Sequence, residues 1–145
     1  MKLTGILMKK LLFIFGVVLT MAGCATRPVS NEDAVFVPKN RILDSSLLSK
    51  TSGTGQVIIK RDSGFGGSAC SNRVYVDGKA IADLGPSEKV VVYPTIGQHI
   101  FSSWPNGICG GGMTEISGEV TESSVKVFRV GYGSNGDFGI HPTAF

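Results

Sequence analysis

The sequence predicts an all-β fold, a small antiparallel β-sandwich, and three observations carry this prediction. From residue 56 onward, apolar residues recur with a period of two in short runs, a pattern typical of strands that bury one face. Turn-forming residues interrupt these runs about every ten residues, the spacing expected of a sandwich. Gly occurs 20 times, and long helices tolerate that badly because each interior Gly costs about 0.5–1 kcal/mol relative to Ala.

The predicted strands follow one another through short connections. They cover residues 57–61, 73–76, 79–84, 89–93, 98–104, 114–120 and 123–130. The Asp-Gly pair at 77–78 is a strong hairpin signal, because a type I′ turn needs positive φ at both central residues. Residues 85–87 and 94–97 predict two further turns. Two Gly-rich loops, at 62–71 and 106–112, make the remaining long connections, and a short tail follows residue 136.

The first 23 residues are predicted to be a signal peptide. An apolar run at 11–21 follows two lysines, and small residues come directly before Cys24, which is the order of regions in such a peptide. The run is shorter than the roughly 20 apolar residues that span a bilayer. Polar sequence begins at once after Cys24, so a transmembrane or buried core helix is the weaker alternative. Met1 and Met8 can each open a complete signal, and the sequence leaves the start open.

Residues 19–24 read LTMAGC and resemble the lipobox of bacterial lipoproteins, with Met21 in place of the usual Leu. The resemblance implies that the Cys24 thiol receives a diacylglycerol, that the bond before it is cleaved, and that the new amine is often acylated. Two or three acyl chains anchor a protein stably where one chain does not. By the same resemblance, Ala25 after the Cys implies the outer membrane. We therefore expect a lipid-anchored envelope protein that faces the periplasm.

The mature chain divides into two predicted parts. Residues 24–55 are expected to be the lipidated N-terminus and a flexible tether, because Pro, Ser, Thr and Gly are frequent there. Two short apolar pieces, 35–37 and 42–48, interrupt this composition, and they would dock as an edge strand or a single helical turn. Residues 56–145 form the predicted sandwich domain.

The net charge of the predicted mature chain does not favour nucleic-acid binding. Lys2, Lys9 and Lys10 lie in the predicted leader, which leaves 11 of the 14 basic residues against 11 acidic ones. The mature chain is therefore close to neutral, and it has no run of Lys or Arg. A nucleic-acid-binding protein would be expected to show a basic stripe.

A second resemblance concerns the turns. Residues 76–79 read VDGK, Leu84 follows, and residues 93–99 read YPTIGQH; this order is similar to PEGA-like domains, small immunoglobulin-like β-sandwiches of bacterial envelope proteins. Residues 61–70 also resemble a block of uncharacterised lipoproteins that carry such domains. The similarity covers about residues 56–104. It implies envelope attachment and binding, and the family carries no catalytic residues to transfer.

Two cysteines, Cys70 and Cys109, remain once Cys24 is lipidated. Beyond the inner membrane the compartment is oxidising, so a disulfide is predicted, with two separate buried thiols as the alternative. Closing a loop of about 40 residues would stabilise the fold by roughly 4 kcal/mol. A metal site on these cysteines is not expected, because neither lies in a C-x-x-C pair and no His is near in sequence.

The remaining motifs predict no catalytic residue and no cofactor. Residues 131–136 read GYGSNG and match G-x-G-x-x-G in letters, but nucleotide binding needs a helix after the motif. His99 and His141 are the only histidines, and no G-x-S-x-G nucleophile turn is present. His99 is expected to pack or to hydrogen-bond at the sheet surface.

The aromatic residues Trp104, Tyr132 and Phe138, together with the Gly-rich loops, are the candidate recognition face, because loops on a rigid sandwich usually carry binding. The alternative is that these side chains fill the core. We therefore predict a non-enzymatic binding or structural accessory module that contacts an envelope protein or a cell-wall partner. An envelope-acting enzyme or enzyme inhibitor is the alternative function.

Overall fold

The computed structural model describes residues 26–145, which fold into two packed β-sheets. The predicted all-β sandwich is therefore confirmed. The predicted signal peptide (1–23) and the predicted lipidation site Cys24 lie outside the described residues. The strands within residues 26–145 are β1 (Val35–Phe36), β2 (Val57–Arg61), β3 (Asn72–Val76), β4 (Lys79–Leu84), β5 (Glu88–Val92), β6 (Gly97–Pro105), β7 (Thr114–Val120), β8 (Lys126–Tyr132) and β9 (Phe138–Pro142).

One sheet contains five strands in the order β1-β5-β2-β8-β9. Strand β2 is at its centre, antiparallel to β5 and parallel to β8. All of its residues are buried, as expected for a central strand that begins with β-branched side chains. Strand β9 forms one edge, antiparallel to β8, and β1 forms the other edge, parallel to β5.

The second sheet contains four strands in the order β4-β3-β6-β7, and all its pairs are antiparallel. Strands β3 and β4 are joined by Asp77 and Gly78, whose φ angles are 49° and 77°. Positive φ at both residues is what the Asp-Gly signal predicted. The turn therefore fixes the register of this hairpin.

The core lies between the two sheets. Phe101 of β6 packs against Phe128 of β8 with ring centroids 4.6 Å apart, which joins the sheets at their centre. Gly118 of β7 faces this pair, and a Cβ atom there would lie 2.8 Å from Cζ of Phe128. The rest of the core is mainly aliphatic and includes Val57, Ile59, Val74, Ile81, Leu84, Val92 and Val130.

Residues 26–55, the described part of the predicted tether, form a packed segment that is called the strap. This corrects the expectation of flexible chain for residues 24–55. Ala34 and Val37 are buried, β1 pairs with β5, and a short 3-10 helix (Lys39–Arg41) follows. The strap then makes an isolated bridge to β4. Of the two docking forms considered for the apolar pieces, the edge strand is present in the first piece, whereas the 3-10 helix lies between the two pieces. The reason is burial, because the apolar side chains of the strap cover the open side between β5 and β4.

The last strand, β9, corrects the prediction of a short tail after residue 136. Its sequence, FGIHP, contains Gly139 and ends at Pro142, both of which weaken a strand signal. An edge strand tolerates Pro because only one side of it is paired. The letters GYGSNG therefore form the end of β8 and a turn into β9, so a strand, and not a helix, follows the motif.

Candidate functional site

The sandwich has one end where its long loops gather, called here the loop end. It consists of loops 62–71, 85–87, 106–113 and 133–137, because β2, β4, β6 and β8 finish there while β3, β5, β7 and β9 begin. Loops on a rigid sandwich are the usual place for function. Of the predicted site residues, both cysteines and the Tyr132–Phe138 pair lie at or beneath this end.

Cys70 and Cys109 form a disulfide with their Cα atoms 6.1 Å apart, which confirms the predicted bond. The disulfide joins loop 62–71, which connects β2 to β3, to loop 106–113, which connects β6 to β7. The two loops lie over the same end of the molecule and are covalently one unit. Their sequence separation of 39 residues makes this a long-range constraint.

Arg61 holds loop 62–71 from below. Its guanidinium is buried at the end of β2 and donates to the carbonyl oxygens of Gly67 (2.6 Å) and Leu84 (2.9 Å) and to that of Cys70. Burial lowers the pKa of this guanidinium. The charged donor thus satisfies three backbone carbonyls at once, two of them in the loop. This role of Arg61 was not predicted from the sequence, although Arg61 continues the inward alternation of Val57 and Ile59 in β2.

Tyr132 and Phe138 are cross-strand partners on β8 and β9, and their ring centroids are 5.2 Å apart. The loops rest on this pair: a Cβ atom at Gly67 would lie 2.5 Å from Cε2 of Tyr132, and one at Gly111 would lie 3.4 Å from Cβ of Phe138. The pair is half-buried on the inner side of the five-stranded sheet. Its role is to support the loops.

Trp104 lies elsewhere, so the three aromatic residues predicted as one recognition face do not share a surface. It is 47% exposed on the outer face of the four-stranded sheet. Its cross-strand partner is Arg73, which donates to both carboxylate oxygens of Asp83 at 2.8 and 2.9 Å. Tyr75 lies on the same face, diagonal to Trp104. Periodicity alone does not reveal which of two sheets a side chain belongs to.

The outer face of the five-stranded sheet is covered by both ends of the described chain. Lys60 of β2 is buried there, and its ammonium donates to Asn31 at 3.0 Å and to the carbonyl of Phe145. Burial lowers the pKa of Lys60. In contrast, the outer face around Trp104 is open, and Ile100 is also exposed on it.

The described chain begins at the loop end. The backbone N–H of Thr26 donates to the carbonyl of Tyr132 at 3.0 Å, and Arg27 and Ser63 exchange two backbone hydrogen bonds of 2.8 Å. The Thr26 hydroxyl donates to Asp62 at 3.0 Å. The first two described residues are therefore fixed to β8 and to loop 62–71.

The carboxylate of Asp62 is 3% exposed and binds Arg129 at 3.2 Å as well as Thr26. Its second oxygen is buried without a hydrogen-bond partner among the described residues. Burial raises the pKa of Asp62, and the attraction of Arg129 and the Thr26 hydrogen bond only partly offset that. Gly131 leaves room for the group, since a Cβ atom there would lie 2.3 Å from Asp62 Oδ2.

At the opposite end, His99 contacts a carboxylate. Its Nδ1 lies 2.6 Å from Asp77, and its Nε2 lies 2.8 Å from the carbonyl oxygen of Thr95. Both ring nitrogens therefore face oxygen acceptors, so the imidazole links two turns. This matches the hydrogen-bonding role expected for His99.

Within residues 26–145, no group of three or more His, Cys, Asp or Glu side chains is placed to hold a metal ion. No helix in that part of the chain is long and apolar enough to cross a membrane. An open groove of about 440 Å³ lies between the strap and β5, lined mainly by apolar side chains that include Phe36 and Tyr93.

No protein-family model, curated protein or solved structure matches this chain.

Proposed function

We propose that this protein is a lipid-anchored envelope protein whose sandwich is a non-enzymatic binding or structural accessory module. The anchor is Cys24, and the address is the periplasmic side of the outer membrane. The observation that carries the proposal is the position of Cys24: it directly follows the apolar run and small residues of a signal peptide. Two residues later, Thr26 is already hydrogen-bonded to the sandwich.

The disulfide supports an address outside the cytoplasm. Disulfides such as Cys70–Cys109 form and persist in oxidising compartments, and they are rare where thiols are kept reduced. The disulfide and the leader are independent features of the chain, and both favour export.

The outer face of the four-stranded sheet is the proposed partner surface. It is open, whereas the outer face of the other sheet is covered by the two ends of the described chain. Trp104 is half-exposed on it beside the Arg73–Asp83 ion pair. Trp and Arg are among the residue types most enriched in binding hot spots. The PEGA-like resemblance is also consistent with binding.

Metabolic labelling tests the anchor. Cells that express the wild-type chain or Cys24→Ser are grown with labelled palmitate, and membranes are separated from soluble material. We expect label and outer-membrane fractionation for the wild type, and loss of both for Cys24→Ser. An unlabelled wild-type chain that keeps its leader and fractionates with the cytoplasm would overturn the proposal.

Site-specific crosslinking tests the module. A photoreactive amino acid is placed at position 104, or at Phe36 as the matched control, since Phe36 is an exposed aromatic residue outside the proposed surface. We expect a defined envelope protein or cell-wall fragment at position 104 and not at position 36. Turnover of a cell-wall or lipid substrate by the purified protein, without a specific crosslink at position 104, would favour an enzyme instead.

A further inference from the structure

Two apolar side chains project from the disulfide-linked loops into solvent. Phe65 is 93% exposed and Ile108 is 94% exposed. Each lies near one cysteine of the disulfide, so the two loop tips are held at the same end of the molecule. Singly exposed apolar residues are common, but these two lie on loops that a disulfide holds together at one end of the molecule.

The exposure does not come from a loose loop. The N–H of Ser68 donates to the carbonyl of Phe65 at 3.1 Å, which closes a turn at the tip. Behind the tip, Gly67 and Cys70 are held by Arg61, and Gly67 rests on Tyr132. The tip is therefore supported from below, while the Phe65 ring stays uncovered by the described residues.

The exposed parts of the two disulfide-linked loops carry no charge to desolvate, since Asp62 at the base of the first loop is buried. Residues 63–71 read SGFGGSACS, and residues 106–113 read NGICGGGM. Neither segment contains Asp, Glu, Lys or Arg, and Met113 adds a third exposed apolar side chain. Transfer of a charged group out of water is costly, so an uncharged, apolar tip is suited to a lipid surface.

The proposed anchor is close in sequence to residues that are fixed beside these tips. Cys24 is two residues from Thr26, and an extended chain spans at most about 3.6 Å per residue, or about 7 Å for two residues. Thr26 is fixed to Tyr132, and Arg27 is paired with Ser63, which is two residues from Phe65. An acyl chain on Cys24 would thus bring the bilayer to the loop end and not to the opposite end.

We propose that the tips of the two disulfide-linked loops, Phe65 and Ile108, insert into the headgroup region of the bilayer beside the acylated Cys24. The inference rests on the lipid anchor proposed above. Its consequence is orientation: the sandwich stands with its loop end on the membrane, and the face that carries Trp104 points sideways along the periplasm. The anchor attaches the protein to the membrane, and the inserted loops fix the angle between the sandwich and the membrane plane.

Fluorescence quenching tests the insertion. Lipidated protein is reconstituted into vesicles of phosphatidylethanolamine and phosphatidylglycerol with brominated acyl chains. A single Trp is placed by Phe65→Trp or Ile108→Trp in a Trp104→Phe background. Val125→Trp is the matched control, because Val125 is an exposed apolar residue in the loop between β7 and β8 at the opposite end. We expect a blue shift and quenching for the two loop probes, and neither for position 125.

The outcomes separate the anchor from the insertion. If the acylated protein floats with vesicles while the loop probes behave like position 125, the insertion is refuted and the anchor stands. If the wild type carries no lipid and does not float, the anchor itself has failed.

Hydrogen exchange of the wild type provides a second measurement without substitutions. We expect vesicles of pure lipid to protect amides in 63–71 and 106–113, and to leave 121–125 unchanged. Protection of the loops only in native membranes, and not in pure lipid, would identify a protein partner and refute insertion.

Discussion

The hydroxyl of Thr26 donates a 3.0 Å hydrogen bond to the buried carboxylate of Asp62, a residue 36 positions further along the chain. This bond ties the segment next to the predicted lipidation site to the end of the central strand β2. A pull on the proposed anchor at Cys24 would therefore reach the sandwich through a contact that begins two residues later in the chain.

Thr26→Ala in the mature protein should destabilise the fold by about 1–2 kcal/mol. It removes a donor to a charged group, and Asp62 keeps only Arg129 as a side-chain partner among the described residues. Urea unfolding measures the change. Thr26→Ser is the control, since it keeps the hydroxyl and should cost less than about 0.5 kcal/mol. Equal stability of the Ala and Ser variants would show that the hydrogen bond contributes nothing.

Arg61→Met should destabilise the protein by about 2–4 kcal/mol, because it leaves the buried carbonyls of Cys70 and Leu84 without their donor. Met retains much of the side-chain volume, so the loss reports on hydrogen bonds more than on packing. Urea unfolding with the disulfide intact is the measurement. Arg73→Met is the matched control, because the ion pair of Arg73 with Asp83 is partly exposed and its loss should cost less than loss of the buried Arg61 guanidinium. Equal losses for the two variants would contradict the role given to Arg61.

Much of the fold was predictable from local signals. The alternation of apolar residues defined seven strands, and the Asp77-Gly78 pair fixed a hairpin with positive φ at both positions. The disulfide followed from cysteine count and compartment, and Cys70 and Cys109 are indeed bonded. The strands and the hairpin depend on a few neighbouring residues, and the disulfide could be predicted without knowledge of the tertiary structure.

The candidate site was less predictable because it depends on register and on which sheet a strand joins. Trp104 and Tyr132 both read as aromatic residues next to Gly-rich loops, yet one faces outward on the four-stranded sheet and the other supports loops from inside. Docking of two apolar pieces of the strap was anticipated, but its packing as a whole was not, because its composition is that of flexible chain while its stability comes from tertiary burial of side chains such as Ala34.

Gly118→Ala should destabilise the sandwich by about 1–3 kcal/mol. A Cβ atom there would lie 2.8 Å from Phe128 and 3.2 Å from Phe101, so the central aromatic pair must shift, which is the cost of overpacking. Thermal or urea unfolding measures the loss. Gly110→Ala is the matched control, because nothing lies within 4 Å of a Cβ atom at that position. A loss of similar size at Gly110 would rule out overpacking as the cause.

Removing the disulfide by Cys70→Ser with Cys109→Ser should lower the free energy of unfolding by roughly 4 kcal/mol. The two cysteines are 39 residues apart, and the chain-entropy argument assigns about this value to a loop of that length. Urea unfolding of the double variant, and of the wild type with and without a reductant, gives the difference. A loss under about 1 kcal/mol would mean that the reduced, unfolded chain is already compact around these residues.

Asp62→Asn should change how stability depends on pH, and the sign follows from the raised pKa of Asp62. Burial disfavours its charged form more than Arg129 and Thr26 favour it. The folded state therefore binds this proton more tightly than the unfolded state does. The resulting stabilisation is complete below the unfolded pKa of about 3.9 and is lost as pH rises through the higher folded pKa. The free energy of unfolding of the wild type, minus that of Asp62→Asn, should accordingly fall as pH increases and then level off.

Asp77→Asn provides a control of opposite sign. Burial raises the pKa of Asp77, but the hydrogen bonds from the Ile100 amide and from His99 outweigh burial and leave the pKa below its ordinary value. Its stabilisation is present above the unfolded pKa and is lost as pH falls through the lower folded pKa. Asn tolerates the positive φ of this turn. Urea unfolding between about pH 2.5 and pH 6 should therefore give difference curves with opposite slopes. Parallel slopes for the two variants would contradict the assignment of Asp62 as the residue whose burial opposes its charge.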